Sequence, residues 1–181
     1  PCRWRPLLTD HVNDAPLFTS TPPLGRTLLD GEAFTFTFTA RDAEGGALRF
    51  AVTGTPAGAT LGATSGVFAW TPAFEQVGAF SLAFTVSDPA HASSTFVWTG
   101  QVAARDSDSD GVPDGLERRF GTDSTKADTD GDGIPDLVEL GSLLTPLDTD
   151  NDSTYDALDP DSDRDGVPDS VEGVVDTDQD G

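Results

Sequence analysis

The sequence predicts a mainly β protein in two unlike halves. An antiparallel β-sandwich comes first, and an irregular repeat array with only short helical turns follows. Three observations carry this. Phe34-Thr-Phe-Thr-Phe-Thr39 and Phe80-Ser-Leu-Ala-Phe-Thr-Val86 alternate apolar and polar residues strictly, the period-two signature of half-buried strands. An acidic phrase of twelve residues, beginning at Asp106, recurs along the second half. Charge is split with it: residues 105–181 hold 24 acids and five bases, a net of −19 out of −22 for all 181 residues. The expected parts are an unassigned fragment at 1–12, the sandwich at 13–104 and the repeats at 105–181.

Taken in order, the first half offers strands at Leu17–Ser20, Phe34–Thr39, Ala47–Val52, Gly66–Thr71, Phe80–Val86 and Thr95–Ala103. Turns fall at Asp42-Ala-Glu-Gly-Gly46, Pro56-Ala-Gly58, Ala63-Thr-Ser-Gly66 and Asp88-Pro-Ala90, where Gly, Pro and Asp break the pattern. About seven short strands in some 90 residues suggest two packed sheets. The expected core is Phe34, Phe36, Phe38, Phe50, Trp70, Phe80, Leu82, Phe84, Phe96 and Trp98.

The acidic phrase reads Asp106-Ser-Asp-Ser-Asp-Gly-Val-Pro-Asp-Gly-Leu-Glu117, then Asp128-Thr-Asp-Gly-Asp-Gly-Ile-Pro-Asp-Leu-Val-Glu139, then Asp161-Ser-Asp-Arg-Asp-Gly-Val-Pro-Asp-Ser-Val-Glu172. Acids at positions 1, 3, 5, 9 and 12, with Gly at 6, form a calcium loop of EF-hand type. Calcium takes 6–8 oxygens in irregular geometry, so carboxylates at alternate positions can converge on one ion. The expected ligands are Asp106, Asp108, Asp110, Asp114 and Glu117; Asp128, Asp130, Asp132, Asp136 and Glu139; and Asp161, Asp163, Asp165, Asp169 and Glu172. Position 7 offers a backbone carbonyl, from Val112, Ile134 and Val167. Gly111, Gly133 and Gly166 supply the sharp turn.

Another copy is degraded. Asp148, Asp150, Asp152, Asp156 and Asp159 keep the spacing, with Ser153 at position 6 and Thr154 at position 7. It either binds more weakly or shares ligands with its neighbour. A last copy starts at Asp176, Asp178 and Asp180 and stops at Gly181, as expected of a piece cut from a longer protein. The loops begin at 106, 128, 148, 161 and 176, too close for the flanking helices of a true EF-hand. Single helical turns fit at Pro113–Phe120 and Pro135–Leu140, with Pro near the start and Gly121 or Gly141 past the end. Close repetition with almost no core is the mark of a one-dimensional array. Five carboxylates around one point cannot stay compact without a counter-charge, so this half is expected to be loose without metal and ordered with it. About four or five calcium ions are expected. Magnesium prefers a rigid octahedron, and zinc lacks a Cys/His cluster.

Residues 106–181 resemble a run of thrombospondin type 3 repeats, and Phe120-Gly-Thr-Asp-Ser-Thr-Lys-Ala-Asp-Thr-Asp130 resembles the linker of their bacterial versions. That resemblance implies a chain wrapped around a string of calcium ions, with ligands shared between neighbours and, here, no disulfide to help. The first half resembles bacterial cadherin-like or putative-Ig domains of the dystroglycan-type group. The matching pieces are Val12-Asn-Asp-Ala-Pro-Leu-Phe18, Asp30-Gly-Glu-Ala-Phe-Thr-Phe36, Thr39-Ala-Arg-Asp-Ala-Glu-Gly-Gly46, Thr64-Ser-Gly-Val-Phe-Ala-Trp-Thr-Pro72 and Thr85-Val-Ser-Asp88. It implies an Ig/cadherin-like sandwich with calcium held at its end by Glu32, Asp42 and Glu44, helped by Asp14 and Asp88. The pattern departs at Glu44, where Asp is usual, and at Asp10-His-Val-Asn-Asp14, which is not the full linker motif. Solvated turn acids are the other reading of these residues.

The expected function is a non-catalytic, calcium-binding module of a secreted or cell-surface bacterial protein, a calcium-stiffened stalk or spacer with an adhesion role. Its partners would be calcium and a cell-surface protein or polysaccharide. The alternatives are a dockerin-like partner-recognition module and a carbohydrate-binding accessory domain of a secreted hydrolase. No nucleophile motif accompanies His11 or His91. Strong negative charge opposes nucleic-acid binding. No apolar run reaches membrane-spanning length. Cys2 stands alone and does not decide the compartment.

Overall fold

A computed structural model describes residues 12–173. The expected fragment at 1–12, with Cys2 and His11, lies outside them except for Val12, and so do Asp176, Asp178 and Asp180. The chain divides into two compact units, the first ending at Ala103 and the second beginning at Ala104.

The first unit holds β1 (Leu17–Ser20), β2 (Arg26–Leu29), β3 (Phe34–Thr37), β4 (Thr39–Arg41), β5 (Arg49–Thr53), β6 (Thr60–Leu61), β7 (Val67–Trp70), β8 (Gly78–Ser87) and β9 (Ser93–Ala103). One sheet runs β2-β9-β8-β5; β3-β7-β6 and the β1-β4 pair form the rest. Its spine is the β8–β9 hairpin, in register from Gly78 opposite Val102 to Ser87 opposite Ser93. The long alternating phrase around Phe36 is split at Phe38: its amide still bonds to the Gly66 carbonyl, next in the β3–β7 register, and from Thr39 the chain pairs with β1 instead. All the strand pairs among the described residues are antiparallel but one: β2 lies parallel to β9.

Side chains from both sheets make one core of Leu28, Phe34, Phe38, Phe68, Trp70, Leu82, Phe84, Trp98 and Val102. Phe34 stacks on Trp98 at 5.0 Å between centroids, and Phe38 lies 4.2 Å from Phe84. Of the expected core, Phe36, Phe50, Phe80 and Phe96 are only partly buried and pack against this centre. Leu28, Phe68 and Val102 are the additions.

Among the described residues the second unit has three short helices, α1 (Asp114–Phe120), α2 (Asp136–Leu140) and α3 (Asp169–Glu172), with a 3-10 turn at Asp156–Leu158. Each starts directly after the Pro at position 8 or, in the 3-10 turn, after Tyr155. Gly121 ends α1 in the left-handed conformation at φ 96°, donating its amide to the Glu117 carbonyl. The array is less core-less than its composition suggests. Val112, Phe120, Leu140 and Ala157 form a small buried cluster, flanked by Leu116, Leu143 and Tyr155.

Candidate metal centre

The four described loops fold by one rule, set by where each carboxylate spends its first oxygen. At position 3 it accepts the amide of position 5: Asp110 to Asp108 at 3.3 Å, Asp132 to Asp130 at 3.1 Å, Asp152 to Asp150 at 2.9 Å and Asp165 to Asp163 at 3.2 Å. At position 5 it accepts the amide of position 7, from Val112, Ile134, Thr154 and Val167, at 2.6–2.8 Å. These bonds curl the backbone. In the first two loops the second oxygen, Oδ2 of Asp108, Asp110, Asp130 and Asp132, is buried without a hydrogen-bond partner.

Position 1 braces the turn from the other side. Asp106 accepts the amides of Ser109 and Gly111, and Asp128 those of Gly131 and Gly133. One oxygen from each of positions 1, 3 and 5 then converges in all four loops, within 4.8 Å of one another: Asp106, Asp108 and Asp110; Asp128, Asp130 and Asp132; Asp148, Asp150 and Asp152; Asp161, Asp163 and Asp165.

Position 12 is buried in the first two loops, and Glu139 brings an oxygen within 4.8 Å of Asp132. Glu117 and Glu139 are fully buried, and neither carboxylate oxygen of either has a hydrogen-bond partner. Burial, and then the neighbouring carboxylates Asp108 and Asp110, pushes Glu117 up to about 7. Burial, and then Asp130 and Asp132, pushes Glu139 up to about 9. Asp110 and Asp130 are raised for the same reasons. A buried carboxylate with no donor is expensive unless it is protonated or meets a cation. The donor set is all oxygen, irregular and anionic, which fits a hard divalent ion of calcium's size.

Position 9 has a task that the spacing did not reveal. Asp114, Asp136, Asp156 and Asp169 each accept both the amide and the hydroxyl of position 2, namely Ser107, Thr129, Thr149 and Ser162. This clasp ties the start of each loop to the first residue of the helix or turn after it. The signal was present as Ser or Thr at position 2 in every copy. Position 9 also reaches across copies: Asp169 brings an oxygen to Asp132 and Glu139 of the second loop, and the charge of Asp136 bears on Asp110 and Glu117 of the first.

The degraded copy departs at both ends. The Asp159 carboxylate accepts the Asp161 amide at 3.2 Å, opening the next loop. Ser153 adopts the left-handed φ of 82° that Gly takes in the other copies. The side chain of Glu172 lies outside the described residues.

In the first unit, no group of three acids converges among the described residues. Glu32 precedes β3 and Asp42 follows β4, so a strand's full run separates them. Glu44 instead accepts the Asp14 amide. Asp88 is a turn residue, accepting from the Ala92 amide at 3.0 Å and the Asn13 side chain at 2.7 Å. Trp70 and Trp98 are buried, so neither belongs to an exposed aromatic row.

Residues 15–103 match the family described as Putative Ig domain. No curated protein matches the chain. Among solved structures, human protocadherin-24 EC1-2 is 21% identical over 52% of this chain and 46% of its own, with a TM-score of 0.42. Drosophila N-cadherin EC1-3 is 21% identical over 50% and 34%, with a TM-score of 0.41. An endo-fucoidan hydrolase of glycoside hydrolase family 107 is 28% identical over 54% and 15%, with a TM-score of 0.43. The chain spans less than half the length of each of these structures. Residues 15–103 thus form a β-sandwich that matches the Putative Ig domain family.

Proposed function

We propose that this chain is a non-catalytic, calcium-dependent module of a secreted or cell-surface protein. The Ig/cadherin-like unit serves as a spacer or adhesive element, and the acidic unit as a calcium-stiffened stalk of thrombospondin type 3 kind. One observation carries the calcium reading: Glu117 and Glu139 are fully buried with all four oxygens unpartnered, among the carboxylates of their own loops that raise their pKa values. Bound calcium would supply the positive charge that these carboxylates lack. Asp108, Asp110 and Glu117, and Asp130, Asp132 and Glu139, would hold it, with Asp106 and Asp128 closing the loops. The clasps at positions 2 and 9 keep each loop shaped for it. Extracellular calcium modules work at affinities of roughly 10⁻⁴–10⁻³ M, which suits a location outside the cell.

The dockerin-like alternative loses support from helix length, since α1 has seven residues and α2 five, too short to present a partner face. The carbohydrate-binding alternative loses its two tryptophans to the core. Calorimetric titration of the metal-stripped chain with calcium, magnesium in a parallel run and circular dichroism alongside, tests the reading. Binding of several calcium ions with a gain of order, and little response to magnesium, is the expected result. Absence of binding at millimolar calcium would overturn it.

A further inference from the structure

In the third loop a cationic side chain approaches the two oxygens that correspond to the unpartnered ones of the first two loops; Asp150 Oδ2 is likewise buried without a hydrogen-bond partner but is ion-paired, and Asp152 Oδ2 is hydrogen-bonded. Arg164, at position 4 of the fourth loop, reaches back across the array. Its Nε lies 3.0 Å from Asp150 Oδ2, and its Nη2 bonds to Asp152 Oδ2. These atoms correspond, position for position, to Oδ2 of Asp108 and Asp110 and of Asp130 and Asp132. The guanidinium thus sits on the face of the third loop where a cation would be coordinated. Its planar fork suits bridging two carboxylates.

The third loop is built to accept this. Its position 12 carboxylate, Asp159, is turned toward the Asp161 amide rather than buried like Glu117 and Glu139. The loop therefore presents three acids, Asp148, Asp150 and Asp152, and the arginine engages two of them. The backbone of Arg164 points the same way. Position 4 is left-handed in every described loop, at Ser109, Gly131, Asn151 and Arg164. An arginine at φ 61° is an unfavourable choice there compared with Gly or Asn, so its side chain needs a reason to be present.

We infer that Arg164 is a tethered counter-cation for the third loop, which decides that this loop is closed by the chain itself and not by calcium. The inference rests on the calcium reading of the other loops. A local cation in the third loop lets the array keep its fold there when metal is scarce. Among the described loops it also makes that loop the one whose order does not depend on calcium.

Ion counting by equilibrium dialysis against calcium, on the full 181-residue chain, tests this. R164S places at position 4 the residue that the first loop carries there, so the fourth loop keeps a matched backbone. R164S should bind one more calcium ion per chain than the unaltered protein, at a site about tenfold or more tighter than any the unaltered third loop shows, because a positive charge has left its edge. D150N/D152N in the unaltered chain should leave the ion count unchanged, and the same pair added to R164S should abolish the gain. An unchanged count in R164S overturns the inference, and so does a lost ion in D150N/D152N alone. If the unaltered chain binds no calcium at all, the calcium reading itself falls and takes this inference with it.

Discussion

At the scale of the residue, the hydroxyl at position 2 is the least conspicuous part of each loop and one of the most connected. Thr129 Oγ1 donates to Asp136 at 2.7 Å and accepts the Asp123 amide at 2.9 Å. Thr129→Val keeps the shape and leaves both partners unsatisfied, at about 1–3 kcal/mol. The second loop should lose about tenfold in calcium affinity for each ~1.4 kcal/mol, while calorimetry should find the first loop unchanged. Equal weakening of all loops would show that the clasp is not local. Glu139 sets a second prediction. Its folded pKa is raised, so the metal-free folded state holds a proton that the unfolded chain releases. Its stabilising contribution is full below the unfolded value near 4.5 and is lost as pH rises through about 9; for Glu117 the loss comes through about 7. In chelator, the order of the acidic unit should therefore decline from pH 5 to pH 9, and calcium should flatten that decline. Glu139→Gln should reduce the decline and weaken the second loop's calcium site. Circular dichroism across pH reads both, and a metal-free unit that gains order with rising pH would refute the burial of these groups.

At the scale of the element, the legible parts were those whose period is written locally. The Phe and Thr alternation marked β3 and β8, and Pro before an acidic turn with Gly after it marked α1 and α2. β2 was not legible because only Leu28 of Arg26-Thr-Leu-Leu29 is buried, and its partner β9 lies some seventy residues on. Pairing of that kind depends on tertiary contact, not on propensity. Gly100 shows what the β2–β9 approach demands: a Cβ there would meet the Arg26 carbonyl at 2.3 Å and the Phe80 ring at 2.6 Å. Gly100→Ala should force backbone shifts costing about 1–3 kcal/mol. For a domain of about 90 residues, each kcal/mol lowers the melting temperature by about 4–8 °C. Differential scanning calorimetry should show that loss in the sandwich transition, with calcium stoichiometry unchanged. A melting temperature within a degree of the parent's would mean that β2 does not seat against β9. The metal loops divide in the same way. Acid spacing marked positions 1, 3 and 5, which converge in each described loop, but spacing cannot say that position 9 bonds backward to position 2, or that Arg164 crosses to the previous loop.

At the scale of the whole molecule, the decisive quantity is where the charge lies. Residues 105–181 carry −19, and among the described residues their buried cluster is only Val112, Phe120, Leu140 and Ala157. The sandwich has nine buried side chains in one core and few charges. The first should depend on calcium for its order and the second should not. Two physical effects can be separated by salt. Diffuse repulsion is screened at 1 M salt, where the Debye length falls to about 3 Å. The buried oxygens of Glu117 and Glu139 are out of reach of that screening and need an ion in contact. Limited proteolysis in chelator should therefore cut within residues 104–173 and spare 15–103. Millimolar calcium should slow that cleavage by about tenfold or more if binding contributes ~1.4 kcal/mol or more to the closed state. Sodium chloride at 1 M should recover only part of the protection. Full recovery by salt alone would mean that repulsion at the surface, and not the unpartnered buried carboxylates, is what keeps the acidic unit open.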